Sequence, residues 1–269
     1  MNKKDRPIGV FDSGIGGLTV LKEIIKELPN EGTIYLGDTA RVPYGMRSQE
    51  TIIRYSFENT KFLFSRDIKL LVIACNTASS ISLDAIKNSI SIPVIGVIEP
   101  GAKAAVKATR NKKVGVIGTE ATVRSNSYTK AIKAIDGSIE VFGLSCPLFV
   151  PLVEEGWTEG NIVTLIAQRY LEEIKDKGID TVVLGCTHYP LLKKVIAGVM
   201  GKGIRLIDSA VETSHEIKTM LDVIDLNRKQ KGMPLREFYV TDSPERFLKV
   251  GGNFLGQKIE HIEKIVVGN

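Results

Sequence analysis

The sequence lacks any long hydrophobic run. None of its apolar stretches reaches the roughly 18 residues that a membrane-spanning helix needs. The amino-terminal MNKKDRPIGVFDSG passes from a short charged lead straight into a predicted strand, without the apolar segment of a secretory signal. We therefore expect neither a membrane association nor export, and predict a cytoplasmic protein.

Cysteine is scarce, and its count is odd. Three cysteines in 269 residues fit free thiols in a reducing compartment better than a disulfide framework. They show no CxxC spacing, so no metal site is predicted.

Blocks of charge and nucleotide-binding motifs are also missing. The 36 basic residues are interleaved with 31 acidic ones, and aromatic residues make up only 6% of the chain, so a nucleic-acid partner is not expected. The glycine-rich GIGGLT at Gly14–Thr19 lacks the last glycine of GxGxxG, and no pyridoxal lysine is identifiable. No cofactor is predicted.

The chain does contain a regular alternation of strand-like and helix-like segments. The predicted strands are 7–11, 33–37, 70–74, 93–98, 113–117, 139–144, 180–185, 204–207 and 236–241. The predicted helices are 18–28, 49–66, 77–89, 101–110, 122–136, 160–177, 189–200 and one ending near 223, with a last helix and strand ending at 267. Near-continuous apolar strands separated by helices predict parallel sheets covered by helices, and the length suggests about two domains.

Two stretches of the chain are repeated in register. IGVFDSG at Ile8–Gly14 matches VGVIGTE at Val114–Glu120, and CNT from Cys75 matches CTH from Cys186. Unrelated strand–helix units can look alike, but agreement at two separate places favours two related α/β halves.

Cys75 and Cys186 each follow an apolar strand and precede a predicted helix. Open α/β sheets bind ligands at the carboxyl ends of their strands. Free backbone N–H groups and the helix dipole there favour an anion, either a thiolate or the carboxylate of a substrate. The alternative is that a free cysteine is a small buried hydrophobe, and Cys146, between apolar neighbours, takes that interpretation.

Five segments resemble the bacterial glutamate racemases, a family of cofactor-independent amino-acid racemases. The segments are FDSGIGGLTV (11–20), GDTARVPYG (37–45), IACNTAS (73–79), CPLFVPLVEEG (146–156) and LGCTHYP (184–190). The resemblance implies two pseudo-symmetric parallel-sheet α/β domains with the active site in the cleft between them. It implies a first domain of 1–98 with 209–269, a second of 99–208, a homodimer, and D-glutamate made for peptidoglycan synthesis.

The resemblance also implies residue roles. Cys75 takes the α-proton of D-glutamate and Cys186 that of L-glutamate, with Asp12 assisting the first thiol and Glu154 and His188 the second. The implied substrate contacts are Asp12, Ser13, Tyr44, Gly45, Asn76, Thr77, Thr119, Thr122, Thr187 and His188. By themselves, Asp12 and Ser13 could be a helix cap and Glu154 a solvated acid. His188 could equally be a capping or packing histidine, and His215 and His261 receive a structural interpretation.

Two other function classes remain open on the residues alone. In a thiol hydrolase or amidotransferase, Cys186 would be the nucleophile and His188 its base, leaving Cys75 without a role. A two-lobed binding protein would hold its ligand without catalysis. Within the racemase class, aspartate is a neighbouring substrate, because spacing does not reveal the length of the ligand's side chain.

Overall fold

A computed structural model describes residues 2–230 and 232–268. The described chain divides into two compact units, one comprising the residues up to Val97 together with those from Ala210 onward, the other Ile98–Ser209. The elements in chain order are β1 (Ile8–Asp12), α1 (Leu18–Glu27), β2 (Thr33–Gly37), α2 (Gln49–Ser65), β3 (Leu70–Ile73), α3 (Asn76–Lys87), β4 (Val94–Gly96), α4 (Ile98–Ala108), β5 (Lys113–Gly118), α5 (Glu120–Arg124), α6 (Ser127–Ile135), β6 (Glu140–Ser145), α7 (Phe149–Glu154), α8 (Asn161–Lys175), β7 (Thr181–Gly185), α9 (Lys193–Met200), β8 (Arg205–Asp208), α10 (Ser209–Val223), β9 (Arg236–Val240), α11 (Pro244–Leu255) and β10 (Glu263–Lys264).

The first unit is built on a six-stranded sheet in the order β10-β9-β2-β1-β3-β4, and every pairing in it is parallel. All residues of β1, β2, β3 and β4 are buried, as expected of strands that helices cover on both faces. Their uninterrupted apolar runs predict these strands, because a strand covered by helices on both faces needs apolar side chains at successive positions. The predicted α/β class is confirmed.

The second unit has a four-stranded parallel sheet in the order β6-β5-β7-β8. This is the order of β2-β1-β3-β4 in the first sheet, so the two sheets share one topology. The repeated stretches of sequence occupy equivalent places, since β1 and β5 carry the first pair while Cys75 and Cys186 follow β3 and β7. The predicted pseudo-symmetry is confirmed.

The carboxyl-terminal segment extends the first sheet. β9 pairs in parallel with β2 along its full length, and β10 pairs with β9. The sequence predicted a strand here but not its neighbour, because the partner of a strand depends on contacts far away in the chain.

Two predicted helices differ from the observed ones. The predicted helix 122–136 is divided into α5 and α6, because Asn126 takes a left-handed conformation with φ of 56° between them. The predicted helix 189–200 begins as a 3-10 turn at Tyr189–Leu192 and becomes α-helical only from Lys193. Both breaks come from local backbone geometry that apolar periodicity does not report.

Within residues 2–230 and 232–268, every helix is too short or too polar to cross a lipid bilayer.

Candidate active site

Cys75 is the amino-terminal cap of α3. Its Sγ accepts a hydrogen bond from the backbone N–H of Ala78 at 3.5 Å, and the thiol donates to Ser13 Oγ at 3.6 Å. The residue is 6% exposed. A sulfur that caps a 12-residue helix receives backbone N–H groups and the positive end of the helix dipole, which favour the thiolate.

Asp12 ends β1 and is completely buried. Its Oδ1 accepts from the backbone N–H of Gly14 at 2.9 Å, which closes the turn that carries Ser13 toward Cys75. A Cβ atom at Gly17 would lie 2.4 Å from the Asp12 Cβ, so only glycine leaves room for this carboxylate. The glycine-rich turn thus serves side-chain packing instead of nucleotide binding.

Tyr35 lies near Cys75 and Asp12, and its pKa is shifted. Burial, followed by the charges of Asp12 and Cys75, raises the pKa of Tyr35 well above its ordinary value. Tyr35 therefore stays protonated and donates to the Gly14 carbonyl at 2.8 Å. The turn at Gly14 therefore has one neutral donor, Tyr35, and lies near two groups that can carry a negative charge, Asp12 and Cys75.

Cys186 lies in the second unit within hydrogen-bonding distance of a histidine. Its Sγ is 3.8 Å from His188 Nδ1, and His188 Nε2 is 3.2 Å from Glu154 Oε1. Cys186 is 6% exposed and His188 5%, while the Glu154 side chain is 19% exposed. The three side chains form a chain from thiol to imidazole to carboxylate.

The charge of His188 follows from its partners. Burial lowers its pKa, but the hydrogen bonds to Cys186 and Glu154 and the charges of both outweigh burial and raise the pKa to about 10. The imidazole is therefore a cation at neutral pH. The Cys186 sulfur thus has a positively charged ring 3.8 Å away.

The two cysteines differ in one respect that the sequence did not predict. Cys75 directly caps an α-helix, whereas Cys186 is followed by a turn and the 3-10 helix Tyr189–Leu192. The expected α-helix start at Cys186 is therefore wrong. His188 provides the positive charge at the second thiol that the helix dipole provides at the first.

The remaining predicted residues lie on the loops that leave the strands. Thr119 caps α5, and its Oγ1 lies 3.0 Å from Thr122 Oγ1. Tyr44 and Gly45 are buried in a 3-10 turn after β2. Asn76, Thr77 and Thr187 are buried beside the cysteines in sequence. Their roles as substrate contacts stay predictions.

Cys146 has the structural environment expected for it. The residue is completely buried, and burial, with a further contribution from the charge of Cys186, raises the pKa of its thiol. Its carbonyl accepts from Tyr189 Oη at 2.8 Å. A thiol kept neutral in this way is a poor proton carrier.

Replacing His188 should change stability in a pH-dependent manner. A pKa raised from about 6.5 to about 10 contributes to the free energy of unfolding fully below pH 6.5, and this contribution is lost as the pH rises through about 10. We expect His188→Asn to destabilise the protein more at pH 6 than at pH 10, measured by urea unfolding. His261→Asn, at an exposed position, is the matched control. An H188N deficit that is the same at both pH values would contradict the assignment of a buried imidazolium.

The model of the Asp/Glu/Hydantoin racemase family matches residues 8–215. The chain belongs to this family. The matched range contains β1 to β8 and every predicted site residue. The prediction of a racemase is thereby confirmed.

Curated and solved relatives agree with the family match. The chain is 54% identical over 260 residues to the glutamate racemase of Geobacter metallireducens, covering 97% of this chain and 96% of that protein. Its fold is similar to the crystal structure of the Francisella tularensis glutamate racemase in complex with D-glutamate, with a TM-score of 0.92, 42% identity and 98% of each chain covered. It is also similar to the glutamate racemase isoform RacE1 of Bacillus anthracis, with a TM-score of 0.94, 40% identity and 98% of each chain covered.

Proposed function

We propose that this protein interconverts L- and D-glutamate by two-base proton transfer, with Cys75 and Cys186 as the two bases. The observation that carries the proposal is the pair of buried thiols after equivalent strands, β3 and β7, of two sheets with one topology. Relatives that are 54% identical or solved with D-glutamate are glutamate racemases, which supports the choice of substrate.

The reaction uses one cysteine as a thiolate, which accepts a proton, and the other as a thiol, which donates one. In the direction from D- to L-glutamate, the Cys75 thiolate takes the α-proton, so a C–H bond breaks and an S–H bond forms. The electron pair stays on a planar intermediate conjugated with the carboxylate. The Cys186 thiol then donates its proton to the opposite face, and its thiolate is left beside the His188 cation. The reverse direction exchanges the two roles.

The environments of the sulfurs suit these roles. The α-hydrogen of an amino acid is much less acidic than a thiol, so the intermediate needs donors fixed in place and little water. Both residues are 6% exposed; the Cys75 sulfur caps α3, and the Cys186 sulfur lies beside the His188 ring. Asp12 and Glu154 act as the supporting carboxylates of the two sides.

The direct test is hydrogen exchange at the α-carbon. The protein, dialysed against a chelator, is incubated with L-glutamate in D₂O without added cofactor. We expect optical rotation to fall to zero while the α-proton signal disappears from the NMR spectrum. Unchanged optical rotation together with a retained α-proton signal would contradict the proposal and favour a binding protein.

One observation also supports a second function. The order Cys186, His188, Glu154, with separations of 3.8 and 3.2 Å, is that of a nucleophile, its base and an orienting carboxylate. A thiol hydrolase built on it would not need Cys75. Hydrolysis of a glutamine or glutamyl ester substrate that persists in Cys75→Ala, without racemisation in the wild type, would favour this alternative.

Two further parts of the proposal concern the use of the product and the oligomeric state. We infer that D-glutamate made by the protein enters peptidoglycan and that the protein acts as a homodimer. Rescue of a bacterial strain that needs external D-glutamate tests the first inference, and light scattering of the purified protein tests the second.

A further inference from the structure

Asp38 is the centre of a buried hydrogen-bond network in the first unit. It follows β2 and is completely buried. Its carboxylate accepts from Arg41 Nε at 2.7 and 2.9 Å, from the hydroxyl of Tyr44, and from Thr241 Oγ1 at 3.0 Å. A buried carboxylate with this many donors holds each donor in one geometry.

Tyr44 is held on several sides by this network. Its hydroxyl donates to Asp38 and accepts from Asn59 Nδ2 at 3.0 Å. Its ring lies 5.6 Å from the ring of Tyr55, over which Arg41 stacks at 4.1 Å. Because the phenolic proton is committed to Asp38, Tyr44 cannot donate it to a ligand. What the loop can offer a carboxylate is backbone N–H groups, which require a fixed loop.

The last part of the chain closes the network. Thr241, directly after β9, donates to Asp38 and accepts from the backbone N–H of Ala40 at 2.9 Å. Thr39 Oγ1 donates to the carbonyl of Asp242 at 2.5 Å and accepts from its N–H at 2.8 Å. Four hydrogen bonds thus join residues 39–40 and the Asp38 side chain to residues 241–242, about 200 positions away in the sequence.

We propose that Thr241 is a positioning residue for the loop 38–47, which carries Tyr44 and Gly45. The inference rests on the proposed function and on the predicted contact of Tyr44 and Gly45 with glutamate. Thr241 does not touch the reacting atoms; its hydroxyl fixes the Asp38 carboxylate that fixes Tyr44. The carboxyl-terminal segment, beyond the matched range 8–215, is therefore part of the support of the substrate site.

Thr241→Val tests the proposal because valine keeps the shape and removes the hydroxyl. Asp38 then loses one charge-assisted donor, and the Ala40 N–H loses its acceptor. We expect the KM for glutamate to rise about tenfold, the effect of one lost hydrogen bond to a charged group, while kcat changes less than about twofold. Amide hydrogen exchange of peptides covering 38–47 should accelerate in the absence of substrate.

Two further variants separate positioning from general stability. Thr241→Ser retains the hydroxyl and should restore both KM and slow exchange. Val240→Ala removes apolar volume at a completely buried position of the same strand and leaves the Thr241 hydroxyl in place. It should lower the melting temperature and leave KM unchanged. If V240A raises KM as much as T241V, or if T241V leaves KM and exchange unchanged, Thr241 has no positioning role.

The two proposals fail in different ways. A wild-type protein that does not racemise glutamate overturns the proposed function, and the exchange measurement still decides whether Thr241 holds the loop. A wild-type protein that racemises glutamate, together with a T241V variant whose KM and loop exchange are both unchanged, overturns the positioning inference alone.

Discussion

Cys186→Ser is expected to lower racemisation of glutamate by about 10³-fold or more, the contribution of a positioned acid/base group. In this variant Cys75 remains beside Ser13 and at the start of α3, so it can still remove the α-proton of D-glutamate. We therefore expect α-hydrogen exchange in D₂O with D-glutamate and none with L-glutamate. Chiral chromatography combined with NMR measures both outcomes.

Cys75→Ser should show the opposite preference. Racemisation should fall by a similar factor, and only L-glutamate should exchange its α-hydrogen, because Cys186 and His188 remain in contact. Cys146→Ala is the matched control, since this third buried thiol is kept neutral and should leave the rate within about twofold. If both serine variants exchange the same enantiomer, the two thiols do not have separate roles.

Lys69→Met should produce the largest loss of stability outside the site. The Lys69 Nζ lies 2.5 Å from Glu31 Oε2, and the side chains are 1% and 4% exposed. Nζ also donates to the carbonyls of Lys4 and Leu226, each at 2.7 Å. Removing the lysine leaves a buried carboxylate without its ammonium partner, so we expect the free energy of unfolding to fall by about 3–5 kcal/mol.

A double variant distinguishes the loss of the ion pair from the burial of an unpaired charge. In Lys69→Met combined with Glu31→Leu no buried charge is left, so the double variant should recover most of the loss. Lys26→Met breaks an exposed ion pair with Glu23 and should change stability very little. Urea unfolding measures all three variants. A K69M deficit no larger than that of K26M would mean that the buried pair is not stabilised as its geometry indicates.

The network around Lys69 also holds two backbone groups that follow α10. Leu226 accepts from Lys69, and the backbone N–H of Arg228 donates to Glu31 Oε1 at 2.7 Å. The polar stretch NRKQKG offered no apolar pattern from which to predict these contacts. The buried ion pair thus fixes the backbone at residues 226 and 228.

Local sequence determined the strands, most helices and the two cysteines. Buried parallel strands require continuous apolar runs, and β1, β2, β3 and β7 are such runs. Cys75 and Cys186 were predicted because a repeated stretch of sequence reports a repeated strand-to-loop connection. The pairing of His188 with Glu154, 34 positions apart, was implied only by resemblance, and the structure places them 3.2 Å apart.

Tertiary structure alone decided three matters. It showed that the Cys75 sulfur caps α3, whereas His188, and no α-helix, lies beside Cys186. It brought Asn59 and Thr241 to the network that holds Tyr44. It paired Lys69 with Glu31. The last two are polar contacts between distant segments, and a polar side chain carries no periodic signal, so its partner is fixed only when the whole chain has packed.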